Sequence, residues 1–134
     1  MNLVQKALFL KTVSLFEDLE LDLILPIADK LDPVVVKKAK LIYHPNEVAN
    51  RMYFIQSGKI ELLSDDKKVI IKLKTPSFFG YDALFADERR QHFALCKETS
   101  TLFALSKSHL YTLLTQLPKV AISLLKIYAK ECLA

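Results

Sequence analysis

Asn50-Arg51-Met52-Tyr53-Phe54-Ile55-Gln56-Ser57-Gly58-Lys59-Ile60-Glu61 is the stretch that decides the fold of this chain. Met52 to Ile55 is rich in aromatic and β-branched residues, which fit a pleated, half-buried surface. Lys59 to Leu63 reads as a second strand, and Ser57-Gly58 between them reads as a turn.

Short β-rich runs continue on both sides, from about residue 33 to 105. Val34-Val35-Val36, Ala39 to Tyr43, Val69 to Leu73, Phe93 to Lys97 and Thr101 to Leu105 all read as strands. His44-Pro45-Asn46, Ser64-Asp65-Asp66-Lys67 and Thr75-Pro76-Ser77 separate them as turns. This spacing predicts a small barrel or sandwich. Gly58 and Gly80 are the only glycines, so Asn46 and Asn50 are expected to supply left-handed backbone.

The two ends are helical. Leu3, Val4, Ala7, Leu8, then Leu15, Phe16, Leu19, then Leu23, Ile24, Ile27 and Leu31 recur at helical spacing. Pro26 removes a donor from the last of these helices, which should start late or kink. Near the other end Ser106 is placed to cap a helix running to Leu117, and Pro118 suits the first turn of the next. The expected class is α+β: a β-roll, of the double-stranded β-helix or jelly-roll type, flanked by N-terminal helices (about 3–31) and C-terminal helices (about 106–133). The 134 residues make one domain with a sizeable core.

Composition narrows the function classes. A hydrophobic fraction of 51% with 25% charged residues is that of a globular chain rather than a disordered one. The net charge of +4 rests mainly on lysines scattered along the sequence, which read as solvated strand edges. A nucleic-acid-binding protein using these basic strands ranks lower. Cys96 and Cys132 show no metal-ligand spacing and read as reduced thiols. No apolar run approaches the ~20 residues that span a bilayer, and no signal peptide is evident, so a cytoplasmic location is expected. His44, His92 and His109 have no ligand-like spacing, and no catalytic constellation emerges. The chain is expected not to be an enzyme.

One segment carries ligand chemistry. Phe78-Phe79-Gly80 is followed by Tyr81, a short apolar turn of helix over Asp82-Ala83-Leu84-Phe85, and then Arg89-Arg90-Gln91-His92. A glycine, a helix start and an arginine form a cradle for one phosphate, through amides and a guanidinium fork.

Together these pieces resemble the cyclic-nucleotide-binding domain family across nearly the whole chain. Val13 to Leu19 is similar to the family's entry segment, Asn50 to Glu61 to its strand-turn-strand signature, Phe78-Phe79-Gly80 to the start of its phosphate-binding cassette, and Phe103 to Ser106 to its strand-to-helix exit. The resemblance implies a regulatory sensor domain with cAMP or cGMP as the ligand. It also implies roles for individual residues. Tyr81 stands where the family has a glutamate for the ribose 2′-hydroxyl. Asp82 occupies the first turn of the helix that meets the phosphate, where its carboxylate caps free N–H groups and repels an anion. The phosphate arginine maps onto Arg90, or onto Arg89 if the loop is one residue shorter. Gln91 and His92 are bulky where small residues usually follow.

The expected function is a non-catalytic regulatory module with weak or lost cyclic-nucleotide binding. It would act through a protein partner or as a homodimer through its terminal helices. The alternative is a working cAMP or cGMP sensor that relies on Arg90 and the cassette amides. Arg90 is open to a second role, an ion pair with Asp82, Asp87 or Glu88.

Overall fold

The computed structural model describes residues 1–133, with side chains through residue 131. The side chain of Cys132 lies outside the described residues. The backbone divides into two compact units, Leu31–Lys107 and a helical unit made of residues 1–30 with the chain from Ser108 onward.

In the helical unit, α1 (Leu3–Lys11) begins with a capping box: the Asn2 side chain accepts from the Gln5 N–H at 2.8 Å, and the Gln5 side chain accepts from the Asn2 N–H at 2.9 Å. A 3₁₀ turn (Ser14–Phe16) leads to α2 (Leu21–Asp29), which packs against α1. Pro26 lies inside α2, so the helix starts at Leu21 and not late. It buries Ile24, Ile27 and Ala28. α4 (Lys107–Gln116) buries Leu110 and Leu113, and α5 (Pro118–Leu133) opens on Pro118, as its fixed φ favours.

The second unit is one antiparallel sheet of six strands rolled around a core: β1 (Asp32–Val36), β2 (Leu41–Tyr43), β3 (Arg51–Leu63), β4 (Val69–Lys74), β5 (Phe78–Phe79) and β6 (Phe93–Ser106). Their order is β1-β6-β3-β4, with β2 also paired to β6 and β5 to β3. This is the β-roll with flanking helices that the sequence predicts.

The signature stretch differs from expectation in one respect. Met52–Ile55 and Lys59–Leu63 are parts of a single strand, and Ser57-Gly58 is a bulge within it. Phe93–Lys97 and Thr101–Leu105 likewise merge into β6. The register between β3 and β6 shifts at Ser57 and Lys59, where Gly58 has φ +102°. Only glycine fits there, because a Cβ would lie 1.9 Å from the Ser100 hydroxyl and 2.7 Å from its Cα. Positive φ occurs at Asn46 as expected, but at Ala39, Lys67 and Asp87 instead of Asn50.

The core of the roll joins Tyr43, Tyr53, Ile55, Ile60, Phe79 and Cys96. Cys96 is a free thiol that donates to the Glu98 carbonyl at 2.8 Å. β3 and β6 are the inner strands, and Tyr53 of β3 is the register partner of Phe79 in β5 on one side and of Ala104 in β6 on the other.

Candidate functional site

Gly80 and Arg90 anchor the site. Gly80 follows β5 with φ +86°, and a Cβ on it would lie 3.2 Å from Arg90 Nη1 and 3.5 Å from the Tyr53 ring. The chain turns through Tyr81 into α3 (Asp82–Ala86), which ends at Asp87 in the left-handed conformation. Arg90 is then held by main-chain bonds on both sides. Its N–H donates to the Glu47 carbonyl and its carbonyl accepts from the Asn46 N–H, each at 2.8 Å.

The Arg90 side chain points inward and is 4% exposed. Nη1 donates to the Gly80 carbonyl at 2.6 Å and Nη2 to the Arg51 carbonyl at 2.5 Å. Its guanidinium carbon sits 4.1 Å from the centre of the Tyr43 ring, within range of a cation–π contact. Tyr43 packs in turn against Tyr53 (6.4 Å between ring centres) and Phe79 (6.2 Å), while Tyr53 and Phe79 stack at 5.3 Å. Arg51 repeats the pattern, with Nε donating to the Tyr53 hydroxyl at 2.9 Å. Burial pushes the Tyr43 hydroxyl far above the ordinary tyrosine range, and the Arg90 charge offsets part of that shift.

Arg90 therefore forms no ion pair with the nearby acids. The Asp82 carboxylate lies 4.0 Å from His92 Nδ1, Asp87 pairs with Lys107 Nζ at 2.5 Å, and Glu88 accepts from Gln91 Nε2 at 3.4 Å. The expected cap by Asp82 does not form either. Tyr81 is the N-cap residue of α3, Asp82 is the first residue inside the helix, and the carboxylate faces His92.

Of the other residues singled out from sequence, Ala83 is buried, and Tyr81 is buried with its ring 5.5 Å from that of Phe78. Arg89 faces outward and donates to the Asn46 carbonyl at 3.0 Å, so Arg90 is the inward arginine of the two. Gln91 is exposed and His92 half-buried. Sequence reasoning missed Tyr43, Tyr53 and Arg51 as parts of the site. Met52 to Ile55 is a continuous apolar run, buried throughout, so its pattern does not single out Tyr53, and nothing local ties Tyr43 to Arg90. A cavity of about 440 Å³ borders Arg90, lined also by Asp32, Glu47, Arg51 and the two tyrosines. Of the cassette residues only Arg90 reaches it.

A β-roll with a glycine–helix–arginine cassette defines a class of regulatory sensor domains. Residues 33–116 match the family model for the cyclic nucleotide-binding domain, and the chain belongs to that family. It is 32% identical over 100 residues to a cAMP-dependent protein kinase regulatory subunit of Debaryomyces hansenii, an alignment covering 75% of this chain and 22% of the subunit. Among solved structures it resembles the catabolite activator protein of Thermus thermophilus (TM-score 0.83, 22% identity, 89% of this chain and 58% of that one). It also resembles the regulatory subunit of a cAMP-independent protein kinase A from Trypanosoma brucei (TM-score 0.82, 17% identity, 96% and 48%). The chain thus spans about a fifth of the curated relative and about half of each of these structures. Among the described residues, no helix is long and apolar enough to cross a membrane.

Proposed function

We propose that this chain is a non-catalytic regulatory module in which the cyclic-nucleotide-binding fold is kept while nucleotide affinity is weak or lost. It acts through contacts of its terminal helices with a protein partner or a second copy of itself. The observation that carries this is the engagement of Arg90. Its guanidinium is already bound to two carbonyls and covered by the Tyr43 ring. An incoming phosphate must compete with charge-assisted bonds inside a site of low exposure, where such bonds are strong. Tyr81 adds to this, because a buried neutral phenol replaces the acid that the family offers to the ribose. Losing one charged hydrogen bond of that kind costs about 1.5–3 kcal/mol, or roughly ten- to a hundredfold in affinity. Asp82 places a carboxylate beside the cradle, where it opposes a second anion.

Ile122, Leu125 and Tyr128 support the partner contact. They are exposed at near-helical spacing along α5. The Trypanosoma brucei subunit, described as belonging to a cAMP-independent kinase, has this fold in a regulatory protein whose kinase does not depend on cAMP.

Isothermal titration of the purified chain with cAMP and with cGMP tests the proposal. No saturable heat is expected at micromolar ligand. The double variant Tyr81→Glu/Asp82→Leu should create or strengthen binding. A micromolar dissociation constant for the unmodified chain overturns the proposal. It favours a working sensor that uses Arg90 and the cassette amides, a second reading supported by the retained geometry of Gly80.

A further inference from the structure

Six of the sixteen lysines, far apart in the sequence, meet at one end of the roll. The β1–β2 turn carries Lys37, Lys38 and Lys40, and it is fastened to the middle of β6. The Ala39 N–H donates to the Cys96 carbonyl at 2.8 Å, the Cys96 N–H to the Lys40 carbonyl at 2.9 Å, and the Lys38 N–H to the Thr99 hydroxyl at 3.3 Å. Lys97 and Glu98 lie in that same stretch of β6. Lys59 is the register partner of Glu98 on one side and of Lys74 on the other. All six lysines are exposed, and Glu98 lies among them, 3.8 Å from Lys59 Nζ. Glu61, two residues further along β3, is the register partner of Lys72, so that pair adds no net charge.

Six lysines against one glutamate give this end a formal charge of +5, whereas the whole chain carries +4. The rest of the chain is therefore one charge negative, and the basic character of the protein resides at this end. Lys59 opposite Lys74 places like charges on neighbouring strands, an arrangement that works against the stability of the sheet.

We propose that this end of the roll is a docking surface for an anionic phospholipid membrane. Three features select that occupant. The cations are all lysines, point charges without the planar fork that reads an individual phosphate. Val35 (67% exposed) and Leu41 (46%) flank the turn on its two strands, giving apolar side chains that can enter the headgroup region beside the charges. The large exposed aromatics are Phe85, Tyr111 and Tyr128, none of them in these segments, so the surface lacks a platform for stacking bases. Clusters of four to eight basic residues are of the size that holds a protein to phosphatidylserine-bearing surfaces.

Co-sedimentation of the full chain with phosphatidylcholine vesicles, with and without phosphatidylserine, tests the proposal. Partition onto the phosphatidylserine vesicles should exceed that onto pure phosphatidylcholine by at least about tenfold. It should be lost near 0.5 M salt, where screening acts within roughly 4 Å. The triple variant Lys37→Glu/Lys38→Glu/Lys40→Glu takes this end from +5 to −1 and should sediment no more than with pure phosphatidylcholine. Lys119→Glu/Lys126→Glu, in α5, should sediment like the unmodified chain. The salt dependence of the unmodified chain stands without any variant having to fold. Equal partition onto both vesicles, equal loss in both variants, or displacement from vesicles by equimolar duplex DNA or acidic peptide overturns the proposal.

Discussion

The Arg90 guanidinium lies over the Tyr43 ring, 4.1 Å from carbon to ring centre, across two segments that neither sequence spacing nor strand register joins. Arg90 closes the cassette from inside. It bridges the Gly80 carbonyl on one side to the Arg51 carbonyl on the other, so the same side chain holds the loop after β5 and the start of β3.

An arginine kept only for a ligand could be removed from the unliganded protein at little cost. Arg90→Ala is instead expected to lower the stability of the unliganded chain by about 2–4 kcal/mol, because it strands the buried Gly80 carbonyl and the half-buried Arg51 carbonyl and leaves a cavity against Tyr43. Urea denaturation measures this. Arg90→Lys should recover only part of the loss, since an ammonium cannot bridge both carbonyls in the same plane. A midpoint for Arg90→Ala equal to that of the unmodified chain would show that these contacts are incidental.

Tyr43 gives the fold a sensitivity to alkali. Burial, the largest cause, raises the folded hydroxyl well above its unfolded value near 10. Below pH 10 both states keep the proton and stability does not depend on this group. Above it the unfolded chain loses a proton that the folded chain retains, so unfolding gains about 1.4 kcal/mol per pH unit. Tyr43→Phe removes the titrating group and should flatten this limb. Denaturant melts of both proteins between pH 9 and about 11.5 provide the comparison, and parallel curves would count against the assignment.

How far the sequence revealed this can be seen residue by residue. The β-rich run from Met52 to Ile55 and Pro118 at a helix start are local patterns, and the structure follows them. Ser57-Gly58 is a local signal with two outcomes, because a glycine at positive φ serves a hairpin turn or a bulge equally well. What decides it is the run of β6 opposite, where Ser57 faces Thr101 and Lys59 faces Glu98. Asp82 falls in the first turn of α3, where the sequence puts it, but its carboxylate turns toward His92 and not to the free amides. That direction depends on a residue beyond the helix, which the capping pattern does not contain. The Tyr43–Arg90 contact and the gathering of Lys38, Lys59 and Lys97 depend on how the sheet rolls, and residues so far apart in the chain leave no mark on each other's neighbourhood.

Gly58 should tolerate no side chain. Its φ of +102° already penalises an L-residue, by about 1–2 kcal/mol in left-handed backbone. The added Cβ meets Ser100, whose Cα cannot retreat as a flexible side chain would. Overpacking adds about 1–3 kcal/mol, so Gly58→Ala should lose about 3 kcal/mol in all, a large share of a small domain's stability. Thermal unfolding followed by circular dichroism reads this directly. A melting temperature unchanged from the parent would mean that the bulge is not fixed as described.

Ala39 presents the opposite case. It holds φ +70° at the tip of the β1–β2 turn, where its N–H is bound to the Cys96 carbonyl. An alanine pays the left-handed penalty of about 1–2 kcal/mol at that position, and glycine does not. Glycine loses about 0.5–1 kcal/mol through the greater freedom of the unfolded chain. Ala39→Gly should therefore stabilise the protein by about 0.5–1 kcal/mol, measured as a higher urea midpoint with an unchanged slope. The substitution leaves all three turn lysines in place, so vesicle binding should not move. A gain in stability together with a loss of binding would mean that the stiffness of the turn, and not its charge alone, presents Lys37, Lys38 and Lys40 to the anionic surface.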